Sequence, residues 1–204
     1  MITIINYGLG NISAFANVYN RLNIPVTIAT HKEELYKAER IILPGVGAFD
    51  HAMTLLQQSG MRETLNELVL EKNIPVLGIC VGMQILADSS EEGVLPGLGW
   101  IDGVVKKFDT SLITHKTQLP HMGWNTIKPK KTDKLLENIN DSSRFYFLHS
   151  YYFFCSDSEN EIAKTEYGLS FTSAAKSGNI YGVQFHPEKS HENGILLLKN
   201  FANL

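Results

Sequence analysis

One cysteine lies in a segment that can expose a reactive thiol. Cys80 follows the apolar run of residues 76–79, which is typical of a buried strand, and precedes a helical pattern. Gly78 and Gly82 flank it and allow a tight turn with close backbone approach. A thiol at a helix start favours its thiolate form, and free helical N–H groups there can bind an oxyanion. Taken alone, the segment fits a nucleophile and a small core residue equally well.

A histidine and a glutamate follow another predicted strand. His186 comes directly after residues 180–185, Pro187 restricts the backbone, and an extended chain could return the Glu188 carboxylate to the imidazole. Cysteine, histidine and glutamate are the parts of a thiol triad, in which the base moves the proton and the carboxylate orients it. A single histidine is usually structural, but together with Cys80 this one favours catalysis.

Two glycine-containing loops also follow predicted strands, where ligands bind in parallel sheets. Residues 44–49 include Gly45 and Gly47, so backbone N–H groups could face a ligand, although an ordinary turn explains this loop alone more simply. Residues 7–11 have two glycines but lack the third of a dinucleotide fingerprint, so no nucleotide site is predicted there.

Alternating strands and helices must position these residues. Strands are predicted at 1–6, 26–29, 40–43 and 76–79, with helices at 11–22 and within 49–72. The second half predicts strands at 97–108, 123–128, 145–155, 162–167, 171–176 and 180–185, and a helix at 192–204. We therefore expect one α/β domain over residues 1–204 with a mixed sheet.

Composition excludes several classes of partner. With 204 residues and a net charge of −3, the chain offers no electrostatic reason to bind nucleic acid or an anionic membrane. No apolar stretch has the length of a transmembrane helix. Two cysteines make a disulfide framework improbable and indicate a reducing cytoplasm. Cys155 lacks a glycine turn or a nearby base and is expected to be structural.

Three motifs together resemble the class I (triad) glutamine amidotransferases: residues 78–84, 44–49 and 185–190. Further blocks resemble, in order and spacing, the glutaminase subunits of imidazole glycerol phosphate synthase: residues 6–11, 89–93, 120–125, 146–151 and 186–190. The resemblance implies a flavodoxin-like fold with a mostly parallel central sheet and extra antiparallel strands in the second half. It also implies hydrolysis of L-glutamine in histidine biosynthesis, without cofactor or metal, and ammonia transfer to a (β/α)8-barrel cyclase in a heterodimer.

The resemblance also implies roles for individual residues. Cys80 would form the thioester, His186 would be the general acid and base, and Glu188 would orient it. The oxyanion hole would use the backbone N–H of Val81 and one from Val46 or Gly47, which makes that loop a control point for a partner. The residues implied to bind glutamine are Gly47, Gln84, Glu92, His149, Ser150 and Tyr151. Those implied to face the partner are Asn11, His121, Met122, Trp124 and Lys189.

Other interpretations remain open from the sequence. Without the resemblance, Gln84 and Glu92 would be solvated side chains and Trp124 a core residue. Val81 and His191 depart from the residues common in the histidine pathway, and similar paralogues supply ammonia to a sugar amidotransferase in surface-polysaccharide biosynthesis. A cysteine peptidase or γ-glutamyl hydrolase could share the triad but needs an open cleft. A non-catalytic assembly subunit is a further alternative.

Overall fold

The computed structural model describes residues 1–114 and 118–204. Within them, eleven strands form one mixed sheet and two others form a separate ribbon. The strands are β1 Ile2–Ile5, β2 Val26–Ala29, β3 Arg40–Gly45, β4 Val76–Cys80, β5 Ser89–Ser90, β6 Gly103–Lys107, β7 His121–Thr126, β8 Lys128–Pro129, β9 Arg144–His149, β10 Tyr151–Cys155, β11 Glu161–Tyr167, β12 Leu169–Ser177 and β13 Ile180–Val183. The helices are α1 Ile12–Arg21, α2 Lys32–Leu35, α3 Phe49–Gln58, α4 Arg62–Asn66, α5 Val81–Gln84 and α6 His191–Ala202, and a π-helical turn at Glu67–Glu71 continues α4.

The parallel part of the sheet has the order β2-β1-β3-β4-β13, and all of its neighbouring pairs are parallel. Every residue of β1 and β4 is buried, as the continuous apolar runs of strands covered on both faces require. The pairing register places Gly45 beside Cys80 and Val183 beside Ile79. The carboxyl ends of three strands therefore meet at the cysteine.

The second half of the chain extends the sheet with antiparallel strands. β12, β10 and β6 follow β13 in antiparallel order, and β11 pairs with residues 169–175 of β12. β7 and β9 form the separate ribbon, in which His121 lies opposite His149. The His186 N–H donates a hydrogen bond to the Tyr146 carbonyl at 2.8 Å. The ribbon is therefore attached directly to the segment that follows β13.

The predicted α/β class, with a mostly parallel sheet and antiparallel strands in the second half, is confirmed. Strand boundaries in the first half agree within two residues. The strand predicted at 97–108 is wrong in its first part, since only Gly103–Lys107 is extended. The strand predicted at 145–155 is two strands divided at Ser150, because β9 pairs with β7 whereas β10 pairs with β6.

Candidate active site

Cys80 occupies the predicted tight turn between β4 and α5. Its φ of 56° is a left-handed value that costs energy for a non-glycine residue and occurs most often at functional sites. A Cβ on Gly82 would lie 1.9 Å from the Leu43 carbonyl oxygen, and one on Gly78 would lie 2.5 Å from the Gly82 oxygen. Both glycines are therefore required for the turn. α5 has only four residues, so a dipole effect on the sulfur is confined to its first N–H groups.

His186 and Glu188 form a buried pair beyond the end of β13. His186 Nδ1 lies 3.0 Å from Glu188 Oε1, and the two side chains are 4% and 3% exposed. A 3-10 turn at Pro187–Lys189, and not an extended backbone, brings the carboxylate back to the ring. The Ser190 hydroxyl holds this turn by donating to the His186 carbonyl at 2.6 Å.

The imidazole of His186 is placed to exchange a proton with Cys80. Burial opposes its protonation, but hydrogen bonds to Cys80 and Glu188 outweigh this effect and raise the pKa of His186 to about 10. Because Nδ1 contacts Glu188, Nε2 is the ring nitrogen left for the interaction with Cys80. Glu188 Oε2 is buried and has no hydrogen-bond partner among the residues that the structure describes.

The sulfur and the imidazole open into a small cavity of about 270 Å³. Every residue predicted to bind glutamine lines it, and so do the three predicted to supply oxyanion donors. Pro120 and Leu148 also line it and were not predicted. Glu188 does not, which places it behind the imidazole. The lining residues are Val46, Gly47, Cys80, Val81, Gln84, Glu92, Pro120, Leu148, His149, Ser150, Tyr151, His186 and Lys189.

The loop at residues 44–49 is held at its two ends. The Tyr7 hydroxyl donates to the Pro44 carbonyl at 2.7 Å, and the Phe49 N–H donates to Glu92 Oε2 at 2.9 Å. Between these anchors, Val46 is 40% exposed, and a Cβ on Gly47, whose φ is +91°, would have no neighbour within 4 Å. Packing therefore restrains the peptide between Val46 and Gly47 least.

Gln84 is a buried part of the site and not a solvated side chain. It is 3% exposed, and its Nε2 donates to the Tyr151 carbonyl at 3.0 Å and to Gln184 Oε1 at 3.1 Å. Gln184 is fully buried, and its own Nε2 lies 3.9 Å from the Cys80 sulfur. Two amides that are 100 positions apart in the chain therefore connect the cavity wall to the sulfur.

A pair of buried histidines links the cavity to the ribbon. His149 Nδ1 lies 2.8 Å from the Tyr151 carbonyl, so it carries a proton and donates. Its Nε2 then accepts from His121 Nδ1 at 3.0 Å, and His121 Nε2 accepts from Asn125 at 3.2 Å. Burial, with the nearby His121 adding to the effect, lowers the pKa of His149 to about 3. His149 is therefore neutral.

The residues expected to face a partner divide into two groups. Met122, Trp124, Asn11 and Lys189 are on the surface, and Trp124 stacks on the ring of His191 with 5.1 Å between centroids. Trp124 is thus not the core residue that its type alone would predict. His121 contradicts the expectation for its side chain, which is 4% exposed. Alternation along β7 explains this, since residues 121 and 122 point to opposite faces.

Further observations concern groups outside the cavity. Cys155 is a buried free thiol whose pKa burial raises to about 12, which keeps it protonated.

Across residues 1–114 and 118–204, no group of three or more potential side-chain ligands could hold a metal ion. None of the helices in these ranges is both long and apolar enough to cross a membrane.

The fold and the site define a class of protein that comparisons with known proteins identify. The family model "Glutamine amidotransferase class-I" matches residues 3–203. The chain therefore belongs to the class I glutamine amidotransferase family, as the sequence motifs predicted. Among solved structures, a putative GMP synthase component from Thermoplasma acidophilum has a TM-score of 0.73 at 19% identity, covering 99% of this chain and 92% of that one. PurLQS from Thermotoga maritima has a TM-score of 0.70 at 18% identity, covering 99% and 97%. At such identities these structures support the fold alone.

Closer relatives narrow the comparison within this family. The imidazole glycerol phosphate synthase subunit HisH of Bdellovibrio bacteriovorus is 55% identical over 204 residues, and that of Leptospira borgpetersenii is 52% identical. Subunit HisH 2 of Pseudomonas aeruginosa is 44% identical. All three alignments cover 100% of both proteins. The resemblance to this group of subunits is therefore confirmed over the whole chain.

Sequence reasoning missed Gln184, although it contacts the sulfur of Cys80. A weak signal was present, because side chains two positions apart in an extended segment share a face. Gln184 lies two positions before His186, so the strand predicted at 180–185 would have placed both side chains on one side, although β13 ends at Val183. Nothing in the sequence indicated that Gln84 would reach it.

Proposed function

We propose that this chain is the glutaminase subunit of an imidazole glycerol phosphate synthase in histidine biosynthesis. It hydrolyses L-glutamine to glutamate and ammonia and passes the ammonia to a cyclase subunit. The observation that carries the proposal is that Cys80 and His186 line the same cavity of about 270 Å³, with Glu188 hydrogen-bonded to the ring from behind. Identities of 52–55% over full length to proteins with this subunit name support it.

The reaction starts from the ion pair that forms when the Cys80 thiol gives its proton to His186, whose raised pKa favours the imidazolium. The sulfur attacks the side-chain amide carbon of glutamine, a C–S bond forms, and the carbonyl electron pair moves to oxygen. His186 then protonates the amide nitrogen, the C–N bond breaks and ammonia leaves a γ-glutamyl thioester. Water gives a proton to His186 and its oxygen attacks the thioester carbon. The C–S bond then breaks, His186 returns the proton to the sulfur, and glutamate leaves the free thiol.

The oxyanion of both tetrahedral intermediates is held by the backbone N–H of Val81 and by one from Val46 or Gly47. Such a donor typically contributes about 3 kcal/mol to lowering the barrier. The exposure of Val46 and the open surroundings of Gly47 support a role for this loop as a control point. Equal glutaminase activity of the isolated chain and of the complex would contradict that role.

Glutamine is oriented by charge and by shape. Glu92 lines the cavity, and a carboxylate is the group that the substrate ammonium requires. A further part of the wall is formed by Gly47, Ser150, Tyr151, His149 and Gln84. The small volume supports free glutamine as substrate, whereas a cysteine peptidase or γ-glutamyl hydrolase needs space for a larger one.

The partner is a (β/α)8-barrel cyclase, bound as a heterodimer through the face that carries Trp124, Met122, Asn11 and Lys189. Exposed aromatic and apolar side chains next to the cavity favour such an interface. A single amidotransferase domain over residues 1–204 and a cytoplasmic location are parts of the same proposal.

A second candidate is the same glutaminase chemistry in surface-polysaccharide biosynthesis, with a sugar amidotransferase as the further partner. Two relatives, from Pseudomonas aeruginosa and Methanococcus maripaludis, carry the number 2 in their names, which distinguishes them from another subunit of the same name. Duplicated subunits of this kind leave room for a second ammonia acceptor. The relatives at 52–55% identity carry no such number and favour the first candidate.

The test uses the chain with the proteins that copurify from its own cell. Wild-type complex should release glutamate from glutamine, and Cys80→Ala should abolish glutamine-dependent product while sparing ammonia-dependent product. Unchanged glutamine-dependent product would show that the chain is a non-catalytic assembly subunit. Copurification of a sugar amidotransferase would favour the second candidate, and a barrel cyclase alone the first.

A further inference from the structure

Gln184 is a buried amide that contacts the sulfur of Cys80 and has no part in the reaction described above. Its side chain is fully buried, and its Nε2 lies 3.9 Å from Sγ. That distance is long for a hydrogen bond to a neutral thiol. A thiolate attracts an N–H donor more strongly, so the contact gains strength when the sulfur becomes charged.

The orientation of the Gln184 amide follows from one backbone carbonyl. The Tyr151 carbonyl can only accept, so the Gln84 atom beside it at 3.0 Å is the donor Nε2. The same nitrogen donates to the second amide at 3.1 Å, which makes that atom the oxygen of Gln184. The other end of Gln184 must therefore present an N–H group to the sulfur.

A second contact of the sulfur has the opposite polarity. Cys80 Sγ lies 3.9 Å from the carbonyl oxygen of Leu148, which can accept a hydrogen bond from the thiol and repels a thiolate. The amide of Gln184 can only be a donor to the sulfur. Loss of the thiol proton therefore weakens the contact to Leu148 and strengthens the contact to Gln184.

We propose that Gln184 is a positioning residue for the nucleophile, which stabilises the thiolate of Cys80 and fixes the direction of its attack, with Gln84 holding the amide in place. The inference deepens the proposed glutaminase function and rests on it. The amide acts through the sulfur and does not touch glutamine, since Gln184 is absent from the cavity lining.

Gln84, which holds the Gln184 amide, is itself fixed by a hydrogen-bond network. The Tyr151 carbonyl accepts from Gln84 and from His149 Nδ1, and His149 in turn accepts from His121. The low pKa of His149 keeps its ring neutral, so this chain of donors and acceptors does not reverse near neutral pH. The chain of hydrogen bonds therefore runs without interruption from the ribbon to the sulfur.

The experiment measures alkylation of Cys80 by iodoacetamide against pH, which needs neither glutamine nor a partner. Methionine is unbranched and apolar, so Gln184→Met removes the N–H donor with little change in shape. We expect the midpoint of alkylation to rise by about one pH unit and the rate at pH 7 to fall about tenfold. Tyr7 and His186, the titratable groups that interact with the sulfur, are left in place.

Two controls separate positioning from a general loss of packing. Ser173→Ala removes a buried hydroxyl next to Gln184 that lacks a hydrogen-bond partner in the described residues. Asn200→Leu removes a buried amide on α6 that donates to two carbonyls away from the cavity. Both should leave the alkylation profile at its wild-type position. If Gln184→Met does not fold, Gln184→Asn keeps an amide that is too short to reach the sulfur and should shift the profile in the same direction.

Kinetics of the complex complete the test. Gln184→Met should lower kcat for glutamine about tenfold and leave KM unchanged, since the amide acts on the nucleophile and not on the substrate. An unshifted alkylation profile would overturn the proposal, and a raised KM beside it would assign Gln184 to substrate binding. A shifted profile in a complex without glutaminase activity would retain the positioning role and refute the proposed function.

Discussion

The cavity at the end of the central sheet and the outer face of the β7–β9 ribbon are built in opposite ways. At the cavity, Cys80, Gln184 and His186 are at most 4% exposed, and the Cys80 sulfur contacts the Gln184 amide. On the ribbon, Met122 and Trp124 are 62% and 39% exposed. The difference indicates that the chemistry is organised within this chain, whereas the ribbon leaves apolar surface for another protein to cover.

Two buried histidines that both line the cavity are held in opposite protonation states. His186 has a pKa raised to about 10, because a thiolate and a carboxylate stabilise its cation against the cost of burial. His149 has a pKa lowered to about 3, because burial dominates and its ring neighbours include His121 and His186. Burial alone therefore does not set the charge of a histidine, and its hydrogen-bond partners decide the sign of the shift.

The largest effect is expected when the catalytic base of the cavity, His186, is removed. His186→Ala should lower kcat for glutamine by about 10⁶-fold, the scale on which removal of a triad base acts in other hydrolases. Glutamate release by the complex measures it, with ammonia-dependent product as the control for assembly. Residual activity within tenfold of wild type would mean that another group accepts the thiol proton.

The next largest effect tests the protonation state of His186. Glu188→Gln should lower kcat by about 10⁴-fold and lower the pKa of His186, since the carboxylate no longer stabilises the imidazolium. Turnover and NMR titration of the histidine ring measure the two effects. Glu192→Gln, an exposed carboxylate on α6, is the matched control and should change neither.

On the ribbon, Trp124→Ala should raise the Kd for the cyclase partner about thirtyfold, which corresponds to about 2 kcal/mol of binding free energy. Calorimetry of the two purified proteins measures it. Phe154→Ala removes another exposed aromatic ring, on β10 outside the ribbon, and should leave the Kd unchanged. Alkylation of Cys80 without the partner should be the same in both variants. A slower rate in Trp124→Ala would show that the two regions are not independent.

The effect that is smallest at neutral pH concerns the stability of the fold, and it grows as the pH falls. The unfolded chain protonates His149 as the pH falls below 6.5, whereas the folded chain resists protonation until about pH 3. The neutral ring therefore stabilises the fold above pH 6.5, and this contribution is lost between pH 6.5 and 3, by up to about 1.4 kcal/mol per pH unit. His149→Phe keeps a ring beside Phe108 and Phe171. The free energy of unfolding, measured with urea, should decrease less steeply in the variant than in the wild type as the pH is lowered. Parallel curves of this free energy against pH would contradict the neutral state assigned to His149.

Local pattern was sufficient for much of the fold. The apolar runs at β1 and β4 and the glycines around Cys80 indicated strands and a turn within two residues of their observed positions. The run at 145–155 misled, because one continuous β-rich segment supplies β9 to the ribbon and β10 to the sheet. Which partner a strand selects depends on residues far away in the chain, so periodicity cannot reveal it.

Burial of polar side chains was the other quantity that pattern could not supply. Gln84 reads as a helix-surface residue and His121 as a partner contact, yet both are buried and hydrogen-bonded. Each is covered by elements that arrive from elsewhere in the chain. For Trp124 the resemblance to relatives indicated the surface correctly, where residue type alone favoured the core.

The sequence by itself determined the chemical types of the site: a thiol on a glycine-flanked turn, and an imidazole two residues before a carboxylate. These are local features, and short-range backbone geometry is enough to specify them. Only the tertiary structure decided which groups meet the sulfur, because Cys80 and Gln184 are 104 positions apart, and Gln184 and Gln84 are 100 apart. Contacts over such separations arise when strands pair and pack, and for this reason the direction of each amide became visible only in the fold.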